Sequence, residues 1–343
     1  MKNLLSLAAL GATLLVASAF TTVHRSAPGG IADSTVVEPA DSTVGIISYF
    51  CKHDTVVYQV YENQWKITGG DSLLFVDAAL RAMIAVTDST AEGYEMEYRI
   101  LETQTGEVAE ETPAVKAMNV ISRLIGEKLQ GLSVRFTLNP YGQVTGFLNE
   151  AEVKNLALTT LDEVKDEILK LPEIQAAKEA GINIDEVLKS MGEEQIVAEY
   201  LNEVARFFTY HGAEYYIGEQ KWYQNPEPGK LACDNYLNIS YDPEDGEYGL
   251  KVIVDNYIPA ETLVKQGQQL FTTLIGDSIA GVIADEMYNK MQQDMVLSDR
   301  QQVNYWSNGW PYELLFQKET RYLDRSKLTQ TYIVWERYSF QNY

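Results

Sequence analysis

Histidine and cysteine are scarce in this 343-residue chain, which has three of the first and two of the second. His24, His53 and His211 show no HxH or HxxxH spacing, and Cys51 and Cys233 stand far from one another and from His24 and His211. That leaves no metal-ligand set to read, and no cofactor is expected. A GxSxG elbow, an HExxH helix, a Walker loop and a glycine-rich dinucleotide fingerprint are all missing, so no catalytic residues are assigned. Basic residues are few as well: 27 against 49 acids, for a formal net charge of −22. Such a charge repels nucleic-acid phosphates and anionic membrane surfaces at long range, which excludes nucleic acid as an electrostatic partner and favours solubility.

Long apolar runs are confined to the N-terminus, MKNLLSLAALGATLLVASAF. Lys2 is a short positive region, Leu4 to Val16 an apolar core, and Ala17-Ser18-Ala19 a small-x-small cleavage site. Residues 1–19 therefore read as a signal peptide, which sends the chain to the periplasm or beyond. No transmembrane segment is expected in the mature chain. Residues 20–43 are small and polar and read as a disordered leader. In an oxidising compartment Cys51 and Cys233 could be bridged, or they could be two buried thiols; the sequence allows both.

What remains alternates between strand and helix patterns. The stretch 55–67 is rich in β-branched and aromatic residues and 93–105 alternates with period two, so both read as strands, while 73–87 is ambiguous through its alanine-rich middle. Residues 113–129 read as a helix, and Val134 to Leu148 as a hairpin about Asn139-Pro140-Tyr141-Gly142. A helical block spans 149–210, followed by strands from 215 to 257. A long helix is expected over 259–295, and three closing strands after it. The expected fold is α+β: a curved antiparallel sheet packed against long helices, with a helical block inserted between a first β-rich half (44–148) and a second (211–343). Strand order in the two halves is similar enough to raise a diverged duplication.

One stretch concentrates aromatics beside a histidine: YHGAEYYIGEQKWY, residues 210–223. It suits a strand leaving a helix, and it suits one wall of a ligand cleft. Tyr215, Tyr216, Trp222 and Tyr223 are therefore candidate binding residues, together with Met287 and Met291 of the long helix, which could line an adaptable pocket. The acids Glu214, Glu219, Asp242 and Glu244 lie near aromatics, as a carboxylate glycosidase would need. Asp242 to Gly246 reads as a turn rather than a calcium loop.

YIGEQKW (216–222) and VRFTLNPYGQVTGF (134–147) resemble two signatures of an uncharacterised family of exported bacterial proteins of the Bacteroidetes type. These are a v-x-G-d-x-W strand, matched by Gly218 and Trp222, and an f-x-l-d-x-x-G-x-v hairpin. Phe136, Leu138, Gly142 and Val144 match the second, with Asn139 at the usual acidic position. The resemblance implies a β-rich envelope protein, similar in architecture to periplasmic lipoprotein carriers, with no established activity. The expectation is thus a non-catalytic envelope protein holding an apolar or amphipathic ligand between sheet and helices. The alternatives are an interaction scaffold for an envelope protein partner and a carboxylate enzyme.

Overall fold

The computed structural model describes residues 43–106, 130–179, 201–227, 231–263 and 294–339, with a few helical residues between 120 and 128. The expected signal peptide, the leader to residue 42 and most of the 113–129 and 259–295 helices lie outside the described residues.

The chain is mostly β, which corrects the α+β expectation. Eleven strands form one antiparallel sheet. In chain order they are β2 (Thr55–Thr68), β3 (Asp71–Thr90), β4 (Gly93–Thr105), β5 (Ser133–Leu138), β6 (Val144–Phe147), β8 (Gly218–Gln224), β9 (Ala232–Asp242), β10 (Glu247–Ile258), β11 (Met295–Tyr305), β12 (Pro311–Tyr322) and β13 (Arg325–Ser339). The short β1 (Thr43–Gly45) and β7 (Glu214–Tyr216) pair separately. Helix is the smaller part of the described chain: α1 (Glu150–Ile168), α2 (Pro172–Glu179) and a helical stretch at 201–207.

Sheet order is β6-β5-β4-β3-β2-β13-β12-β11-β10-β9-β8. The first half meanders outward from β2 to one edge. The second half enters at the other edge and meanders inward to β13. The two halves meet where β13 pairs with β2, from Arg325–Thr68 to Ser339–Thr55. In each half a long connection follows the third strand, after β4 and after β10.

The core lies on one face of this sheet, here termed inner. Ile239, Leu250, Val303, Leu314, Ile333 and Val60 are paired in register across six strands, and all are buried. Phe207 of the helical stretch packs its ring on Tyr58 and Tyr98 at 4.8 and 6.2 Å. α1 starts after Asn149, which lies beside β5: its Nδ2 donates to Ser133 O and its Oδ1 accepts from Arg135 N, both at 2.8 Å. Burial of this apolar face supplies most of the driving force for the fold.

Candidate functional site

Two regions could carry function: the proximal end of the inner face, where loops converge on His211, and the distal half, where the face changes character.

At the proximal end the segments 46–50, 139–143, 210–213 and 306–311 meet. Gly212 N donates to Ile46 O (2.7 Å), Tyr49 N to Asn308 O (3.0 Å) and Ser48 Oγ to Pro140 O (3.2 Å). His211 sits among them, buried, with its Nε2 2.8 Å from Gly309 O. A carbonyl only accepts, so Nε2 carries the proton. The other nitrogen, Nδ1, has no hydrogen-bond partner among the described residues. Phe208 and Tyr305 pack on the ring, at 5.5 and 5.1 Å. Burial pulls its pKa down to about 4. Buried and neutral, the ring packs among the aromatic side chains of the core.

The distal half is built differently. Strand register carries the inner face away from the core in successive rungs, two residues apart. The rung after Val60–Ile333–Leu314 mixes Leu237, Val252, Gln301, Phe316, Thr331 and Glu62. The next is polar: Asn235, Asp299, Lys318, Thr329 and Gln64 interrupted by Val254. The third pairs Cys233, Asn256, Leu297, Thr320, Lys327 and Lys66. Beyond the polar rung lies a second apolar cluster of Ile258, Leu263, Met295 and Leu297, with Leu231 and Tyr322 against it. Two apolar zones on one sheet face are thus divided by a polar band. Asp299 sits in that band, and burial raises its carboxyl above the usual range. Tyr210 reaches in from the helical side and donates to Gln301 Oε1 at 2.6 Å.

The expected aromatic candidates do not form one site. Tyr215 is buried; its hydroxyl donates to Tyr210 O at 3.1 Å, and burial pushes its pKa to about 12. Tyr216 and Tyr223 are half-exposed. Trp222 alone joins the inner face, opposite Asn235 at the end of the polar rung and against the main core. The chain breaks between β7 and β8 at Ile217, and Gly218 takes a φ of +106° there. Met287 and Met291 lie outside the described residues. Cys51 and Cys233 are both free thiols. They stand at opposite ends of the sheet, Cys51 ahead of β2 and Cys233 on the rung of Lys66, so the bridge is not formed.

Glu214, Glu219 and Asp242 each accept a hydrogen bond from a local partner, and Glu244 is exposed in the β9–β10 turn. The hydroxyl of Thr43 donates to Glu214, on the small sheet, at 2.5 Å. Glu219 accepts from Tyr236 and pairs with Lys221. Asp242 accepts from Glu244 N in the β9–β10 turn (2.9 Å), which closes with Gly246 N on Asp242 O at 2.8 Å. Asp242 lies four residues along β9 from Asn238, the partner of Glu219, so about 13 Å of strand separates those two acids. No group of three or more His, Cys, Asp or Glu among the described residues is placed to hold a metal ion. No helix among them is long and apolar enough to cross a membrane.

The residues of the distal face, Lys66, Phe75, Asp299, Phe316 and Lys327, were not among the expected site residues. Their signal lay in parity. In KLTQTYIV, Lys327, Thr329 and Thr331 share the alternation phase of Ile333, so polar side chains occupy core-facing positions.

No protein-family model matches the chain, and no curated protein matches its sequence. Among solved structures, lipovitellin, in a structure reported for its lipid–protein interactions, aligns at 8% identity and a TM-score of 0.42. That alignment covers 86% of this chain and 26% of the lipovitellin chain, so the protein spans about a quarter of that relative's length. An outer membrane channel from Pseudomonas putida F1 aligns at 8% identity and a TM-score of 0.16, over 87% of this chain and 99% of the channel. Likenesses at this level assign neither the fold nor the function of the chain.

Proposed function

We propose that this chain is a non-catalytic binding protein of the cell envelope, which holds an amphipathic ligand on the distal half of its inner sheet face. The observation that carries this reading is the polar band between two apolar zones. A face that only had to seal a core would stay apolar along its length, as the proximal rungs do. Here Asp299, Lys318 and Thr329 occupy inward positions between the main core and the cluster around Leu297. Binding sites are mostly apolar surfaces with a few placed polar groups, and this half of the face has that composition. The signal-peptide pattern of residues 1–19 supports export to the envelope.

Uptake of dodecan-1-ol by solvent-extracted protein tests the reading. The expected result is saturable binding that Leu297→Asp abolishes while the protein stays folded. Failure of the native protein to take up the alcohol, or equal uptake by Leu297→Asp, would sink it.

A second reading rests on an aromatic cluster at the proximal end of the sheet. Trp306, Tyr312, Trp335 and Tyr338 cluster there with ring separations of 4.9 to 5.5 Å, and Trp335 and Tyr338 are exposed. An aromatic cluster of this kind suits a protein-partner contact. It differs from the patch expected at Tyr215, Tyr216, Trp222 and Tyr223, which burial and alternation divide.

A further inference from the structure

Lys66 and Lys327 face each other directly across β2 and β13, on the third distal rung of the inner face. Like charges at directly opposed positions repel and destabilise a sheet. Neither lysine makes an ion pair with a described residue, in a chain whose acids outnumber its bases 49 to 27. Both ammonium groups instead converge on one aromatic ring. Phe75 is the extra residue where the β2–β3 register shifts beside Gln64–Trp65, and its ring lies 5.1 Å from Lys66 Nζ and 5.5 Å from Lys327 Nζ. Phe75 itself is buried. Burial and the neighbouring Lys66 charge lower the Lys327 pKa, so the pair is held at an electrostatic cost. The inner-face acids Asp299 and Glu62 stand one and two rungs away.

A ring face weakly attracts cations but cannot neutralise two of them. An anion seated between the ammonium groups would do so, and would accept charge-assisted hydrogen bonds from both. The same rung continues through Thr320 to Leu297 of the second apolar cluster, so an aliphatic chain attached to that anion would have apolar surface beside it. We propose that Lys66, Lys327 and Phe75 form the head-group end of the ligand site, and that its ligand is an amphiphile bearing a carboxylate or phosphate. The inference rests on the binding reading above and adds the ligand's charge. The overall charge of −22 opposes long-range attraction of anions. The lysine pair acts at contact distance, well inside the screening length.

Calorimetric titration with dodecanoate, dodecyl phosphate, dodecan-1-ol and inorganic phosphate tests this. The expected result is that both anionic amphiphiles bind about ten-fold or more tighter than the alcohol, as one charge-assisted hydrogen bond would give. Lys66→Met and Lys327→Met should erase that preference while leaving alcohol binding unchanged, and the two arginine variants should keep it. The unliganded Met variants should also melt higher than the native protein, because each removes the repulsion; a merely structural lysine would melt lower. Equal affinity for acid and alcohol would overturn the head-group proposal and leave the binding reading standing. Tight binding of inorganic phosphate with no gain from the alkyl chain would overturn the amphiphile and leave a free-anion site. No binding by any of the four probes would overturn both proposals.

Discussion

At the residue scale the clearest consequence belongs to His211. Its folded pKa, about 4, lies below the value near 6.5 expected in the unfolded chain. Above pH 6.5 both states are neutral at this group and stability is unaffected. As pH falls from about 6.5 towards 4, the unfolded state takes up a proton that the folded state refuses, so stability is lost through that window. The loss amounts to roughly 3 kcal/mol by pH 4. Urea unfolding at pH 7.5 and 5.0 should show it, and His211→Phe should flatten the difference; a native protein equally stable at both values would contradict the buried assignment. Gly142 depends on the same ring. Its φ is +88°, and a Cβ there would sit 2.6 Å from His211 Cδ2. Gly142→Ala should therefore cost roughly 1–3 kcal/mol, from backbone strain and displacement of the ring, measured as a shift in the urea midpoint without change of slope.

At the element scale the seam between β2 and β13 governs the fold. These strands come from opposite ends of the described chain and pair over nearly their whole length. β13 is central, and proline there removes a ladder hydrogen bond that no edge can spare. Thr331→Pro should abolish cooperative folding, whereas Gln220→Pro on the edge strand β8 should leave a folded protein by circular dichroism. Two strands of the first half, β2 and β4, were legible, because TVVYQVYENQWKI is rich in β-branched and aromatic residues and GYEMEYRILETQT alternates. The alanine-rich middle of β3 was not. FVDAALRAMIAV has helical composition, but as strand its Leu80, Ala82, Ile84 and Val86 face inward between β2 and β4, and that packing overrides local propensity. This run and the extent of the strands make the chain mostly β, against the α+β expectation. The stretch 210–223 was half legible: the handover from helix to strand is present, but the break at Ile217 depends on β7 pairing with β1, a contact no local pattern reveals.

At the scale of the whole molecule, the sheet acts as one surface with a graded inner face. That grading arises only when register aligns residues from β9, β10, β11, β12, β13 and β2, so the polar band was invisible until pairing was known. Parity within β13 was the one local clue. The grading also separates stability from binding. Trp310, buried with its ring 4.5 Å from Phe50, belongs to the proximal core, and Trp310→Ala should cost roughly 3–5 kcal/mol. Leu297→Asp, in the distal cluster, should impair ligand uptake with a smaller loss of stability.

The most direct measurement is native mass spectrometry of the protein isolated untreated from the cells that produce it. The account predicts a discrete added mass, removed by organic solvent and restored by incubation with an amphiphile. A clean unliganded mass that stays unchanged after incubation would contradict it, and would turn attention to protein partners of the exposed Trp335–Tyr338 cluster.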